Sequence, residues 1–262
     1  MSRELPIIMG QHDVRAILDG RKTVTRRVVK PQPRPGTTHY APNWRKNFVD
    51  GHFMPMAGSY LNGGGSGEAF CDGAIRCPYG EVGDRLWVRE THALEHDVDG
   101  GEPPHADGRP ILRRPDDDID GMLPAWTQPH YRATDPAPDL CCESPRCAQC
   151  RDHDMGPHWR PAIHMPRWAS RITLEVNAVR VERLQDISEE QAIAEGVREL
   201  PLQKDEPGAW WCADPLGNPE LHCRTPRAAF CRLWESINGA GSWADNPWVW
   251  VVEFKRVEVS RG

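Results

Sequence analysis

Residues 170–197 read "SRITLEVNAVRVERLQDISEEQAIAEGV", and two periodicities meet in that stretch. From Arg171 to Leu184, β-branched and aliphatic residues recur between polar ones, the pattern of a half-buried strand, with a bend expected near Asn177. The register then changes. Ser188 stands three residues before Gln191, the spacing of a capping box, and Gly196 supplies a stop, so 187–197 is expected to be a helix. A long strand feeding a short capped helix, with no repeat of that unit elsewhere, argues against an alternating βαβ sheet.

The rest of the chain supplies further strands and few helices. "LPIIM" (5–9) reads as a strand, and residues 11–19 as a helix buried through Val14, Ile17 and Leu18 and ended by Gly20. "TVTRRVV" (23–29) alternates as a strand does. "GDRLWVRE" (83–90) is a turn and a strand, with Leu86 and Val88 on one face and Arg85, Trp87 and Arg89 on the other. "HYRATD" (130–135) is expected to be another short strand. "TPRAAFCRLWESING" (225–239) is a helix capped by Thr225, with Phe230, Leu233, Trp234 and Ile237 as its buried face. "PWVWVVEFKRVEV" (247–259) closes the chain as a strand. These elements predict an α+β fold: a small mixed or closed β-barrel with flanking helices. We read 1–262 as a single domain with loop insertions at about 31–82, 95–128, 136–161 and 200–224.

Composition narrows the function. The 262 residues carry a net charge of −6, which argues against a generally basic nucleic-acid binder. The charge is uneven: residues 1–34 hold eight Arg or Lys against three acids, and such a local patch can still bind phosphate. No apolar run approaches the roughly 20 residues of a membrane helix. The N-terminal apolar stretch is too short for a signal peptide, so a cytoplasmic location is expected. The nine cysteines then read as reduced thiols or metal ligands. Most of the eleven tryptophans are expected to pack in the core, and a minority to stack on bases.

"ILDGRKTVTRR" (17–27), "GDRLWVRE", "ISEEQAIAEGV" and "WVWVVEFKRV" occur in that order along the chain. This ordered set resembles the ASCH domain family of the PUA-like superfamily. With "CPYGEVGDRLWVRET" and "IHMPRWASRI" it is most similar to the enlarged members encoded by phages and prophages, some labelled morphogenetic proteins. The resemblance implies a PUA-like barrel whose cleft recognises RNA or a modified nucleoside. It also implies amide hydrolysis of an N4-acylated cytidine, with Lys22, Thr25 and Glu195 as the catalytic residues. The large insertions are outside the resemblance.

The residues themselves leave several readings open. Lys22 lies three positions before Thr25, within reach to act as its base. The neighbouring Arg21, Arg26 and Arg27 raise the local potential and favour a neutral amine. Arg26 and Arg27 face opposite ways on a strand, so Arg27 is the one expected to share a cleft with Thr25 and to hold a substrate oxygen. Trp87 and Arg89 are candidate substrate contacts. Glu90 at the strand end is expected to point into a cleft mouth, and His164, Arg167 and Arg171 could line the same cleft. The alternatives are a non-catalytic RNA-binding module, a ribonuclease in which Lys22 and the arginines stabilise phosphorane-like charge, and a phage assembly accessory. Convergence of Lys22, Thr25 and Glu195 on one groove favours an enzyme; a distant Glu195 favours binding.

Cys147 and Cys150 have knuckle spacing for tetrahedral zinc. With Cys142 and His153 they form a compact set, and Cys141 is a substitute ligand. Cys71, Cys77, Cys212 and Cys223 could also contribute. A structural zinc is expected there, stapling a loop with few apolar residues. No Glu stands beside it at the deaminase spacing, which argues against a catalytic zinc.

Overall fold

A computed structural model describes residues 2–33, 37, 39–42, 52–56, 75–96, 109–113, 126–135, 159–200, 210–213 and 222–257. In chain order the elements are β1 (Glu4–Ile8), α1 (Gln11–Leu18), β2 (Val24–Val28), β3 (His39–Pro42), β4 (His52–Met56), β5 (Ile75–Arg76) and β6 (Arg85–Arg89). There follow β7 (His92–His96), β8 (Leu112–Arg113), β9 (Trp126–Tyr131), β10 (Thr173–Arg183), α2 (Glu189–Ala194), β11 (Arg198–Leu200), β12 (Trp210–Cys212), α3 (Pro226–Asn238) and β13 (Trp248–Val257). The fold is mixed α+β and mostly strands. One sheet has the order β1-β6-β10-β13-β2, and smaller ones the orders β3-β4-β5, β7-β9-β8 and β11-β12. Each order is linear, so among the described residues no sheet closes on itself.

Contacts divide the chain into two compact units. One comprises residues 1–5, 16–86 and 174–257; the other comprises 6–15, 87–173 and 258–262. In the first unit, β13 pairs antiparallel with β2, placing Val249 against Val28, Val251 against Arg26 and Glu253 against Val24. Val24, Val249 and Val251 pack with Leu184, Ile187 and Ala192, and with Ala229, Phe230 and Trp234 of α3. Full burial of a large apolar side chain contributes about 1.5–3 kcal/mol, so this sheet–helix layer is a main source of the unit's stability. The second unit has a smaller cluster of Tyr131, Met165 and Ala169, with Trp168 packed against it.

The capping box at Ser188 and Gln191 is present, as is the Thr225 cap. Several details differ from expectation. β10 is one continuous strand through Asn177. The strand expected at 130–135 ends at Tyr131. Beyond it, the amides of Thr134 and Asp135 donate to the Tyr131 carbonyl (3.0 and 2.9 Å), while the Asp135 carboxylate accepts from the Tyr131 amide (2.8 Å), closing a turn. The strand proper lies upstream, at β9. Ile237, in the last turn of α3, is 58% exposed, and the buried face of the helix is instead Pro226, Ala229, Phe230 and Trp234. The cysteine set Cys141, Cys142, Cys147, Cys150 and His153, and Cys71, lie outside the described residues.

Candidate functional site

Two successive chain reversals bring Lys22 to Glu195. At the end of α1, Gly20 takes a positive φ of 73°, and the amides of Arg21 and Lys22 both donate to the Ala16 carbonyl (2.8 and 2.9 Å). The Thr23 amide then donates to the Ala194 carbonyl (2.9 Å), fixing the start of β2 against the end of α2. Glu195 is the C-terminal cap of that helix, its amide donating to the Gln191 carbonyl (3.0 Å). Gly196 follows with φ 103°, and a Cβ there would lie 2.8 Å from the Ala16 Cβ. The close approach of α1 to this turn therefore requires glycine.

The heads of Lys22 and Glu195 meet at that junction. Lys22 Nζ donates to Glu195 Oε2 at 2.6 Å and to the Glu195 carbonyl at 2.8 Å. Arg26 Nη1 donates to the other carboxylate oxygen at 3.2 Å. Arg26 Nη2 donates to Gln191 Oε1 at 2.8 Å and reaches Glu182 at 3.4 Å. The side chains of Lys22, Arg26 and Glu195 are 2%, 0% and 3% exposed. Two cations and two carboxylates thus compensate one another in a largely water-excluded cluster, with Glu182 its wetter member. Such a cluster is costly to break, and it leaves a substrate no direct path to the Lys22 amine.

Thr25 does not join this cluster. In the β2–β13 ladder, Arg26 stands opposite Val251, whereas Thr25 stands opposite Val252 and Arg27 opposite Trp250. Alternation puts Thr25 and Arg27 on one face and Arg26 on the other. Thr25 and Arg27 share a strand face, as alternation predicts, but Thr25 does not line the cavity that Arg27 lines; the partners of Glu195 are Lys22 and Arg26. Arg21 is held locally, donating to the Gly196 carbonyl at 2.6 Å and to Asp19 at 2.9 Å. Arg27 lines a cavity of about 410 Å³ together with Lys30, Arg76, Tyr79, Asn238 and Trp250.

The second unit gathers the other candidates. The guanidinium carbons of Arg89 and Arg167 lie 5.5 and 5.8 Å from the Trp87 ring centroid, within cation–π range. Arg89 also donates to the Ile163 carbonyl, next to His164. Glu90 is not at an open cleft mouth. It is 2% exposed and gripped in a fork by Arg171, at 2.9 and 3.0 Å. Burial pushes the Glu90 carboxyl above its ordinary range, with Arg171 opposing and Asp135 adding to the rise. Arg171 in turn lies 3.8 Å above the Tyr131 ring centroid.

Sequence reasoning missed His92 and Arg160. Their backbones pair in a bridge, the amides donating at 3.2 and 2.7 Å. His92 Nδ1 is 3.3 Å from the Glu90 carbonyl, and its buried Nε2 has no hydrogen-bond partner among the described residues. Burial, then Arg160, His164 and Arg89, lower the His92 pKa, so the ring is held neutral among cations. A neutral ring with Nδ1–H on a carbonyl leaves Nε2 as an acceptor. Only the tertiary bridge to Arg160 identifies this ring, since the local sequence carries no pattern for it.

Among the described residues, no group of three or more side chains is arranged to hold a metal. Cys77, Cys212 and Cys223 are buried thiols outside any disulfide, and burial pushes the Cys77 thiol up to about 12, away from the thiolate that binds metal. No helix among the described residues is long and apolar enough to cross a membrane. No family model, curated protein or solved structure matches the chain.

Proposed function

We propose that this protein recognises a nucleic acid or a modified nucleoside, with the cationic, aromatic surface around Trp87 contacting phosphates. The observation that carries the reading is the convergence of Arg89 and Arg167 on Trp87, with His164 close by. Guanidinium groups suit phosphate oxygens, and the aromatic ring suits an unstacked base. A patch of this kind works on an acidic protein because phosphate responds to local potential rather than net charge. The ASCH resemblance, with its PUA-like barrel and phage or prophage setting, favours RNA or a modified nucleoside as the ligand class and a cytoplasmic location.

Binding of labelled single-stranded RNA and DNA, measured by fluorescence anisotropy across a salt series, tests the reading. Affinity is expected to fall linearly on a log–log plot, and Arg167→Ala to reduce the slope by about one. Salt-independent affinity for both polymers would remove the polymer and leave a free nucleoside.

A hydrolase is the second reading, and the 2.6 Å contact between Lys22 and Glu195 favours it. Amide hydrolysis of an acylated base adds water across the C–N bond, and a linked amine and carboxylate could carry the proton to the leaving nitrogen. The burial of that pair and the opposite face of Thr25 make recognition the better-supported function. Incubation with acylated nucleosides, read by mass spectrometry, decides between them: release of the free base-amine that Lys22→Met abolishes would establish hydrolysis.

A further inference from the structure

The cavity beside the end of β2 combines three chemistries that the Trp87 surface does not. Its volume, about 410 Å³, falls within the roughly 300–1,000 Å³ of small-molecule sites. Its cations are Arg27, Lys30 and Arg76. Arg76 is neutralised by Glu81, with contacts of 3.0 and 2.5 Å. Lys30 is exposed and has no ion-pair partner among the described residues. Two aromatic rings lie at the wall; Trp250 is 2% exposed and braced edge-on by Phe53 at 5.2 Å, so the half-buried Tyr79 is the ring open to a ligand. Burial raises the Tyr79 pKa while Arg27 lowers it, so the phenol stays a protonated donor beside that guanidinium.

Asn238 adds a directional group. Its Nδ2 donates to the Trp234 carbonyl at 3.0 Å, which fixes the orientation of the amide and leaves Oδ1 as an acceptor. An acceptor at the rim of an aromatic-walled cavity suits an amino group. The Watson–Crick edges of cytosine and adenine carry one; uracil presents carbonyl oxygens on either side of a single N–H.

We propose that this cavity is a nucleoside-phosphate site, in which Tyr79 faces an amino-bearing base, Asn238 Oδ1 accepts from its amino group, and the exposed Lys30 holds the phosphate beside Arg27. The inference rests on the nucleic-acid reading and specifies its ligand: a phosphorylated nucleoside with an exocyclic amine. Neither Lys22 nor Glu195 lines the cavity.

The test is calorimetric titration of the full chain with CMP, UMP and cytidine, alongside RNA-oligonucleotide binding. CMP is expected to bind saturably, with UMP and cytidine each weaker by roughly tenfold, the scale of one lost hydrogen bond or charge-assisted contact. Lys30→Gln should erase most of the CMP-over-cytidine advantage. Asn238→Leu should bring CMP and UMP to parity, with circular dichroism checking that α3 is retained. Lys30 is exposed, so its variant remains informative even if Asn238→Leu unfolds. Oligonucleotide binding without any CMP binding overturns the cavity assignment and leaves the polymer reading standing. Absence of both sinks the two together. CMP binding that neither variant alters places the nucleotide elsewhere and also overturns the proposal.

Discussion

Glu195→Gln changes one atom type at the centre of the buried cluster, and its expected cost is large. The carboxylate accepts from Lys22 at 2.6 Å and from Arg26 at 3.2 Å, and all three side chains are at most 3% exposed. A glutamine keeps the shape but removes the charge that both buried cations face; Glu182, 24% exposed, stays 3.4 Å from Arg26. The amide's own N–H groups would also face a guanidinium. Breaking a buried pair from one side costs about 3–5 kcal/mol. At roughly 2–4 °C per kcal/mol for a protein of this size, that is a fall in Tm of roughly 6–20 °C. Lys22→Met should cost less, because Glu195 retains Arg26. Arg76→Ala supplies the contrast, since that side chain is 46% exposed and its bridge to Glu81 is expected to contribute at most about 1 kcal/mol. Urea unfolding followed by tryptophan fluorescence measures all three. If Glu195→Gln costs no more than Arg76→Ala, the cluster is hydrated in solution and the burial argument is wrong.

His92 has a folded-state pKa lowered from 6.5, so the unfolded chain binds a proton that the folded chain refuses. Stability should therefore be intact above pH 6.5 and decline as the pH drops below it; a urea midpoint that His92→Phe leaves equally pH-dependent between 5 and 7 would contradict this. Gly196→Ala should destabilise more than Gly20→Ala, because both have positive φ but only Gly196 meets a neighbouring Cβ, at 2.8 Å; equal thermal shifts would refute the contact. The Cys142, Cys147, Cys150 and His153 set is expected to carry about one zinc per chain, measured by elemental analysis of protein purified without added metal. Stoichiometry near zero with freely titratable thiols would exclude the site.

Local chemistry was readable wherever neighbours in sequence do the work. Ser188 and Gln191 announce their capping box, Thr225 announces α3, and the buried Leu86 and Val88 follow from alternation in β6. Pairings across the chain were not readable from spacing. Lys22 and Glu195 were linked only through the family resemblance, and the choice of Arg26 over Arg27 as the second partner depends on which face of β2 meets α2. The burial of Glu90 depends on Arg171, eighty-one positions away, whose guanidinium is held over Tyr131. The strands within the expected insertions could not be placed from sequence, because short proline-bearing segments such as His39–Pro42 and His52–Met56 carry little period-two signal.

The Gln191 side chain has two clients. Its Oε1 accepts from the Ser188 amide at 3.1 Å, closing the cap of α2, and from Arg26 Nη2 at 2.8 Å, inside the ion cluster. With only six residues, α2 has scarcely more than one turn beyond that cap. Fraying of the helix start and loosening of the guanidinium are therefore coupled through one side chain. An influence that loosens Arg26 will register as faster amide exchange at the exposed beginning of α2, and a substitution at Ser188 will be felt at a charge it never touches. The short helix acts as a latch whose bolt is one carboxamide oxygen.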